Sequence, residues 1–266
     1  MPSIPTSPPR SIHPRTKLRV DPVPGERHDL TMIRAVPLFM IAAAFAASAE
    51  TAPSEADKEI PIGLEAVTGF RSESIWRGFK LGDGVLDFQL QAEIALSNEW
   101  RIDTGGYYAT ETGDGDFSQS SFFIDLMYDA DQFSAGISVT LQSFDHAILQ
   151  DGVDIAPSIS WHATKDLDVT FGAAYDTGAE APYVWLETEW TQPVTDSSFV
   201  SLKAGTSWVD DYYGRSGWND VYGRASFTYA ISKSVSVTPF VGFSLPMDAS
   251  PETERLFGGV WFEVNF

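Results

Sequence analysis

From Ile62 to the last residue, apolar side chains recur at every second position. Between Val85 and Leu96 one face carries Leu86, Phe88, Leu90, Ala92, Ile94 and Leu96, and the other carries Asp87, Gln89, Gln91 and Glu93. The stretch from Asp166 to Asp176 repeats the pattern, with Leu167, Val169, Phe171, Ala173 and Tyr175 set against Asp168, Thr170 and Gly172. A period of two belongs to β-strands, whose successive side chains point to opposite faces; a helix would show a period of 3.6. Continuing the count predicts twelve strands, near 62–78, 85–97, 99–111, 117–130, 131–144, 153–163, 166–176, 182–192, 197–209, 219–231, 233–244 and 254–266. Each runs to roughly ten residues or more, the length a tilted strand needs to cross a bilayer, whereas soluble strands average about five or six.

The predicted connections alternate in size. Short ones fall at 97–99, 130–131, 163–166, 192–197 and 231–233; longer ones, polar and rich in Gly and Asp, fall at 80–84, 112–116, 145–152, 177–181, 210–218 and 245–253. Short turns at one end and longer loops at the other describe an outer-membrane barrel. With an even strand number both chain ends lie on the short-turn side, which in such barrels is periplasmic. Aromatic residues sort by the same axis. Trp100, Tyr128, Phe133, Trp161, Trp190, Tyr229 and Phe266 fall at short-turn ends, and Tyr108, Tyr175, Trp208, Trp218 and Phe243 at long-loop ends. Two girdles of amphipathic rings fit two membrane interfaces.

The reading is therefore all-β: a single antiparallel up-and-down transmembrane β-barrel of about twelve strands, residues 62–266, with periplasmic N- and C-termini. The last strand ends in the alternation Val260, Phe262, Val264, Phe266 with no polar tail. It would close the barrel on the first strand, and its ending resembles the terminal signature read by the machinery that assembles outer-membrane barrels. Pro157 and Pro239 fall inside predicted strands, where each removes a ladder donor that lipid cannot replace. A bulge, or a ladder side needing no donor, would accommodate them.

The segment ahead of the barrel adds a destination. Met32-Ile-Arg34 precedes a dozen apolar residues, Ala35 to Ala46, and then Ala47-Ser48-Ala49. A basic start, a short apolar run and an A-x-A site have the layout of a secretory signal peptide, here 32–49, with the mature chain starting near Glu50. Residues 50–61 form a short periplasmic lead. Residues 1–31 are rich in Pro and Arg without hydrophobic period, which reads as a disordered extension or as a start assigned ahead of Met32. The chain implies export to the outer membrane of a Gram-negative bacterium.

Charge and composition narrow the partners. Cysteine is absent, which excludes disulfides and thiolate metal sites. Removing residues 1–49 takes six of the 17 Lys/Arg and three of the 37 Asp/Glu, leaving 11 basic and 34 acidic residues and a net charge of −23. Such a chain does not neutralise phosphate, so nucleic acid is no partner. The partners implied are outer-membrane lipid, the assembly machinery, and small solutes or ions; the sequence leaves the oligomeric state open.

The first strand carries Gly69-Phe-Arg-Ser-Glu-Ser-Ile-Trp-Arg-Gly-Phe79. Through Ser72, Glu73, Trp76, Arg77 and Gly78 it resembles the S-[DE]-x-x-[WF]-R-G stretch of the TorF-type porins, a family of exported bacterial β-barrels. The match is confined to this stretch, 11 of the 266 residues. The resemblance implies a porin-like role and brings no catalytic residues. Physically, Arg77 is in phase with Glu65, Arg71 and Glu73 and so faces the lumen, and Gly78 permits the turn that follows. A structural anchor is favoured over a ligand site.

Other chemistry is weaker. Only His146 and His162 survive signal removal. A barrel phospholipase would need a serine beside a histidine base, but His146 has no hydroxyl two residues on, and His162, with Thr164, sits at a periplasmic turn. No enzyme and no cofactor are expected. Glu187 and Glu189 are roughly 7 Å apart on one face, within the range for sugar-bond cleavage, although polar lining of a wet lumen is the simpler reading. Glu111, Asp114 and Asp116, or Asp210, Asp211 and Asp220, could gather a hard cation, but neither set has calcium-loop spacing. Tyr212, Tyr213 and Trp218 could stack on sugar or hold a loop at the interface.

The inward face carries the function. The phase places Glu65, Asp87, Glu93, Asp103, Asp125, Asp168, Glu187, Glu189 and Glu263 inside, opposed by Arg71, Arg101, Lys203 and Arg224. A dry core would pair its charges, so the excess of acid argues for water. Twelve strands lie between the eight that side chains fill and the sixteen or so that leave a wide channel. The expectation is a narrow passive pore for small solutes that prefers cations. The alternatives are a plugged barrel acting through its external loops and, less favoured by strand length, a soluble carbohydrate-binding sandwich.

Overall fold

The structure, a computed structural model, describes residues 62–266. The extension, signal peptide and lead assigned to residues 1–61 lie outside the described residues. Twelve strands follow in order: β1 (Ile62–Trp76), β2 (Phe79–Ala95), β3 (Trp100–Glu111), β4 (Ser118–Asp129), β5 (Phe133–Asp145), β6 (Gly152–His162), β7 (Leu167–Asp176), β8 (Ala181–Thr195), β9 (Ser198–Tyr212), β10 (Arg215–Ala230), β11 (Val235–Pro246) and β12 (Arg255–Asn265). Each pairs antiparallel with its sequence neighbours, and β1 pairs with β12 from Glu65↔Asn265 to Arg71↔Gly259, closing the barrel. Phe266 adds one further bond, its N–H donating to the Leu64 carbonyl at 2.9 Å. Closure leaves the sheet without an open edge of unpaired backbone groups.

The alternation in sequence becomes two surfaces. Phe88, Ile124, Val139, Phe171, Leu186, Leu202 and Phe262 are exposed on the outside, while Asp87, Asp103, Asp125, Thr140, Glu187 and Glu263 between them are buried inside. This inverts the distribution of a water-soluble protein and matches the pattern general to barrels surrounded by hydrocarbon. At the short-turn end Trp100 packs on Tyr128 (ring centroids 5.0 Å apart), which in turn packs on Phe133 (5.9 Å).

Two predicted loops are instead strand. Residues 80–84 lie within β2 and 210–212 and 215–218 within β9 and β10; the actual turns are the pairs Arg77–Gly78 and Tyr213–Gly214. All four turn residues have positive φ (45° and 76°, 52° and 74°), the tight hairpin geometry whose twist matches the strands it joins. Gly and Asp made these segments read as loops, but pairing of the hairpin arms overrides that composition. The remaining long-side loops are 112–117, 146–151, 177–180 and 247–254. The prolines need no bulge. Pro157 stays in register with Ile137 and Pro239 with Val260, while pairing lapses beside each on the other side, from Ile155↔Tyr175 to Ser158↔Gly172 and from Ser226↔Phe240 to Tyr229↔Val237, and resumes unshifted.

The apolar packing inside the wall is concentrated at the long-loop end. Trp76, Phe79, Leu81, Tyr107, Phe117, Leu149, Tyr183, Trp185, Val209 and Tyr212 form one buried cluster. A smaller one, Val67, Phe240 and Trp261, covers the inner side of β1, β11 and β12, with the Phe240 and Trp261 rings stacked at 3.8 Å.

Candidate functional site: the barrel lumen

The inward phase brings charges from neighbouring strands into layers, since side chains directly opposite on paired strands share a face. Lys203 on β9 lies across from Glu189 on β8, and its Nζ is 2.7 Å from Glu187 and 3.2 Å from Glu189. The Ser201 hydroxyl donates to Glu189 (2.9 Å) and the Tyr222 hydroxyl to Glu187 (3.2 Å). Arg101 on β3 meets Asp103 at 2.9 Å, Glu93 at 4.0 Å and Asp129. Arg71 meets Asp87 at 2.7 Å and donates to the Tyr107 hydroxyl. Arg224 lies over the Trp261 ring, 5.0 Å from its centroid. Gln91 donates to Glu65, and Asn265 to Glu263 at 3.2 Å. His162 Nδ1 and Asp168 Oδ1 are 2.8 Å apart.

These groups do not form one site. Arg101, Asp125, Asp168, Glu187, Glu189 and Lys203 line a cavity of about 1060 Å³, open mouth included, bounded by Arg77 of the first turn and by β3 through β9. Glu65, Asp87, Glu93, Asp103, Arg224 and Glu263 do not line it. Across the cavity from the charged wall, β5 and β6 present small residues: Ser134, Gly136, Ser138, Thr140, Ala156, Ser158 and Ser160. Trp185 also lines it, lying flat on Gly172, where an added Cβ would come within 2.1 Å of the indole.

The long-loop end is closed by the hairpin of β1 and β2. Between Arg71 and Ser74 the buried positions of β1 pass from odd to even, so Ser74 and Trp76 both turn into the barrel, beside a register shift between Ser74 and Ile75. Its tip then reaches the far wall. The Arg77 guanidinium lies 2.7 Å from Asp154 on β6 and 3.6 Å from Asp176 on β7, and donates to the Tyr212 hydroxyl at 2.9 Å. It also faces the rings of Tyr183 (4.4 Å) and Trp76 (4.9 Å). Asn219 Nδ2 donates to the Arg77 carbonyl at 2.9 Å, and Arg215 sits 3.4 Å over the Phe79 ring. Long-side loops pack on this plug: Leu149 is part of the cluster, and Glu252 lies 3.3 Å from Arg215. Burial holds His146 on the same side below its ordinary pKa, against a raising contribution from Glu252.

The motif residues thus divide in two. The Ser72 hydroxyl accepts from the Gly258 N–H at 3.1 Å, and Glu73 lies 4.0 Å from Arg255, both joining β1 to β12, whereas Trp76, Arg77 and Gly78 build the plug. Val260, Phe262, Val264 and Phe266 lie on the closing strand or just past it, with Phe262 and Phe266 exposed on the outside.

Sequence reasoning missed Asp154, Asp176, Tyr183, Arg215 and Asn219. Asp176 was within reach of the period that placed Asp168 and Thr170 inside; the others lie where strands were truncated or left unphased. Tyr212 and Tyr213, read as loop or interface aromatics, belong to the plug, their rings 4.9 Å apart, while Trp218 is exposed across from Trp208. The proposed cation clusters do not converge: Asp220 turns inward to accept from Ser207, Asp210 and Asp211 stay exposed, and no metal-binding group is found among the described residues.

No protein-family model matches the chain, and no curated protein matches it by sequence. Solved structures do match. An outer membrane channel from Pseudomonas putida F1 aligns over 82% of this chain and 100% of its own with TM-score 0.50 and 11% identity. The NanC porin aligns over 76% and 98% (TM-score 0.51, 10% identity) and the KdgM porin over 77% and 99% (TM-score 0.50, 10% identity). The likeness is one of fold: a closed, twelve-stranded antiparallel barrel of the kind found in outer-membrane channels.

Proposed function

We propose that the chain is an outer-membrane, porin-like channel for passive diffusion of small solutes, with a preference for cations. The observation that carries this reading is the cavity, whose wall bears six carboxylates (Asp125, Asp129, Asp154, Asp168, Glu187 and Glu189) against Arg77, Arg101 and Lys203. An excess of acid over base in a water-filled, low-dielectric tube attracts cations and repels anions. The hydroxyl-rich wall of β5 and β6 offers hydrogen bonds to a passing solute without the bulk to block it. The description of the barrels of like fold as channels or porins supports the same reading. Outer-membrane lipid would contact the apolar band, and the assembly machinery would read the strand ending in Phe266.

The plug favours a second reading, a non-conducting barrel that acts through its external loops. Swelling of liposomes containing the refolded mature chain separates the two. Channel activity gives faster swelling with a small organic cation than with an anion of equal size. A sealed barrel gives none with either.

A further inference from the structure

The surroundings of Arg77 have the composition of a site for a guanidinium ion. Two carboxylates from different strands, Asp154 and Asp176, are buried at 4% and 0% side-chain exposure around a guanidinium that is itself 1% exposed. Tyr212 adds a hydroxyl at 2.9 Å, and the faces of Tyr183 and Trp76 flank the cation. Paired acids with aromatic walls bind planar cations through charge-assisted bonds and cation–π attraction together. The acids are placed independently of the hairpin. Asp176 is fixed by the turn after β7, accepting from the N–H groups of Gly178 (2.9 Å) and Ala179 (2.7 Å) and from the Tyr212 hydroxyl (2.7 Å). Asp154 belongs to the β6 ladder.

Arg77, by contrast, is carried on a two-residue turn at left-handed φ, a backbone state that non-glycine residues disfavour. Within the plug, Trp76 Nε1 and the Tyr213 hydroxyl are buried without a hydrogen-bond partner among the described residues. When the hairpin leaves, Asp154 and Asp176 lose their cation, and a cation from solution can replace it.

We propose that Asp154, Asp176, Tyr183 and Tyr212 form a binding site for solutes bearing a guanidinium group, and that Arg77 is its built-in occupant, holding the mouth shut until such a solute competes. The proposal deepens the channel reading by naming a solute class, and depends on that reading only for what passes once the hairpin has moved. A ligand that binds the open form alone raises its population by 1 + [L]/Kd, about tenfold near ten times Kd.

The test uses methylguanidinium as probe, with the neutral isostere N-methylurea and equal sodium chloride as controls, on the refolded mature barrel. Ser74 is 2% exposed at the base of the hairpin, and the chain has no cysteine, so Ser74→Cys gives a near-isosteric reporter of opening. Maleimide labelling of this variant is expected to rise about tenfold with saturating methylguanidinium, and not with either control. Arg77→Ser supplies a second reading: methylguanidinium should raise its thermal midpoint, and Asp176→Asn in that background should remove the effect. Equal labelling with methylguanidinium and sodium chloride, or stabilisation that survives Asp176→Asn, overturns the proposal. Neither readout measures conductance, so a silent barrel would sink the channel reading and leave this one standing on its own data.

Discussion

Arg77, at the tip of the first hairpin, lies 2.7 Å from Asp154, 77 residues further along and on the opposite wall of the barrel. The pair joins an element folded across the mouth to a strand fixed in the cylinder, so it reports how tightly the mouth is held. Breaking a buried pair by removing one partner leaves the other charge uncompensated, at a cost of about 3–5 kcal/mol. Arg77→Ala is therefore expected to lower the urea midpoint of the folded barrel by a corresponding amount, whereas adding Asp154→Asn to Arg77→Ala should recover part of the loss. Equal stability of wild type and Arg77→Ala would remove the latch from the account.

The width of the cavity rests on Trp185 lying against Gly172. An alanine at 172 would set its Cβ 2.1 Å from the ring and force the indole off the wall. Gly172→Ala should cost about 1–3 kcal/mol, as overpacking does, and reduce solute flux, because the displaced ring moves into the lumen. Unchanged flux with unchanged stability would show that Trp185 does not border the route.

Lys203 offsets two acids, Glu187 and Glu189. Lys203→Met should strengthen cation preference, and Glu187→Gln should weaken it. Ion-ratio measurements under a salt gradient give the sign of each change; shifts in the same direction would contradict a lumen whose lining sets selectivity.

Acid should loosen the loop over the plug. Burial lowers the pKa of His146 below its ordinary 6.5, so the folded chain binds this proton less well than the unfolded chain. The contribution to stability is full above pH 6.5 and is lost as the pH falls through the depressed value. Glu252 and a hydrogen bond to the Lys80 main chain act against the shift, and the Phe117 ring meets the imidazole edge-on at 6.5 Å. Protection from hydrogen exchange in residues 146–151, taken against the intrinsic rate at each pH, should fall as the pH drops below 6.5 in wild type, and His146→Gln should remove that dependence.

What the sequence made legible was whatever repeats with a period of two. Strand number, closure by the last strand and the inward placement of Asp103, Asp125, Glu187 and Glu189 all follow from an alternation that any single strand displays. The plug was not legible, for two physical reasons. The buried phase of β1 reverses between Arg71 and Ser74, just before the residues that matter, so Trp76 reads as outward and is buried. The cage of Arg77 is assembled from strands as much as 135 positions away, and no local pattern at Tyr212 records that its hydroxyl meets Arg77. Loop composition misled in the same region, since Gly and Asp at 80–84 and 210–218 serve extended hairpin arms.

The central claim is that the acidic lumen conducts. Single-channel recording of refolded residues 50–266 in a planar bilayer under a salt gradient tests it most directly. The account predicts discrete current steps with a reversal potential on the cation-selective side, moved toward zero by Glu187→Gln. A barrel that inserts and remains silent, or one whose steps are anion-selective, would contradict it.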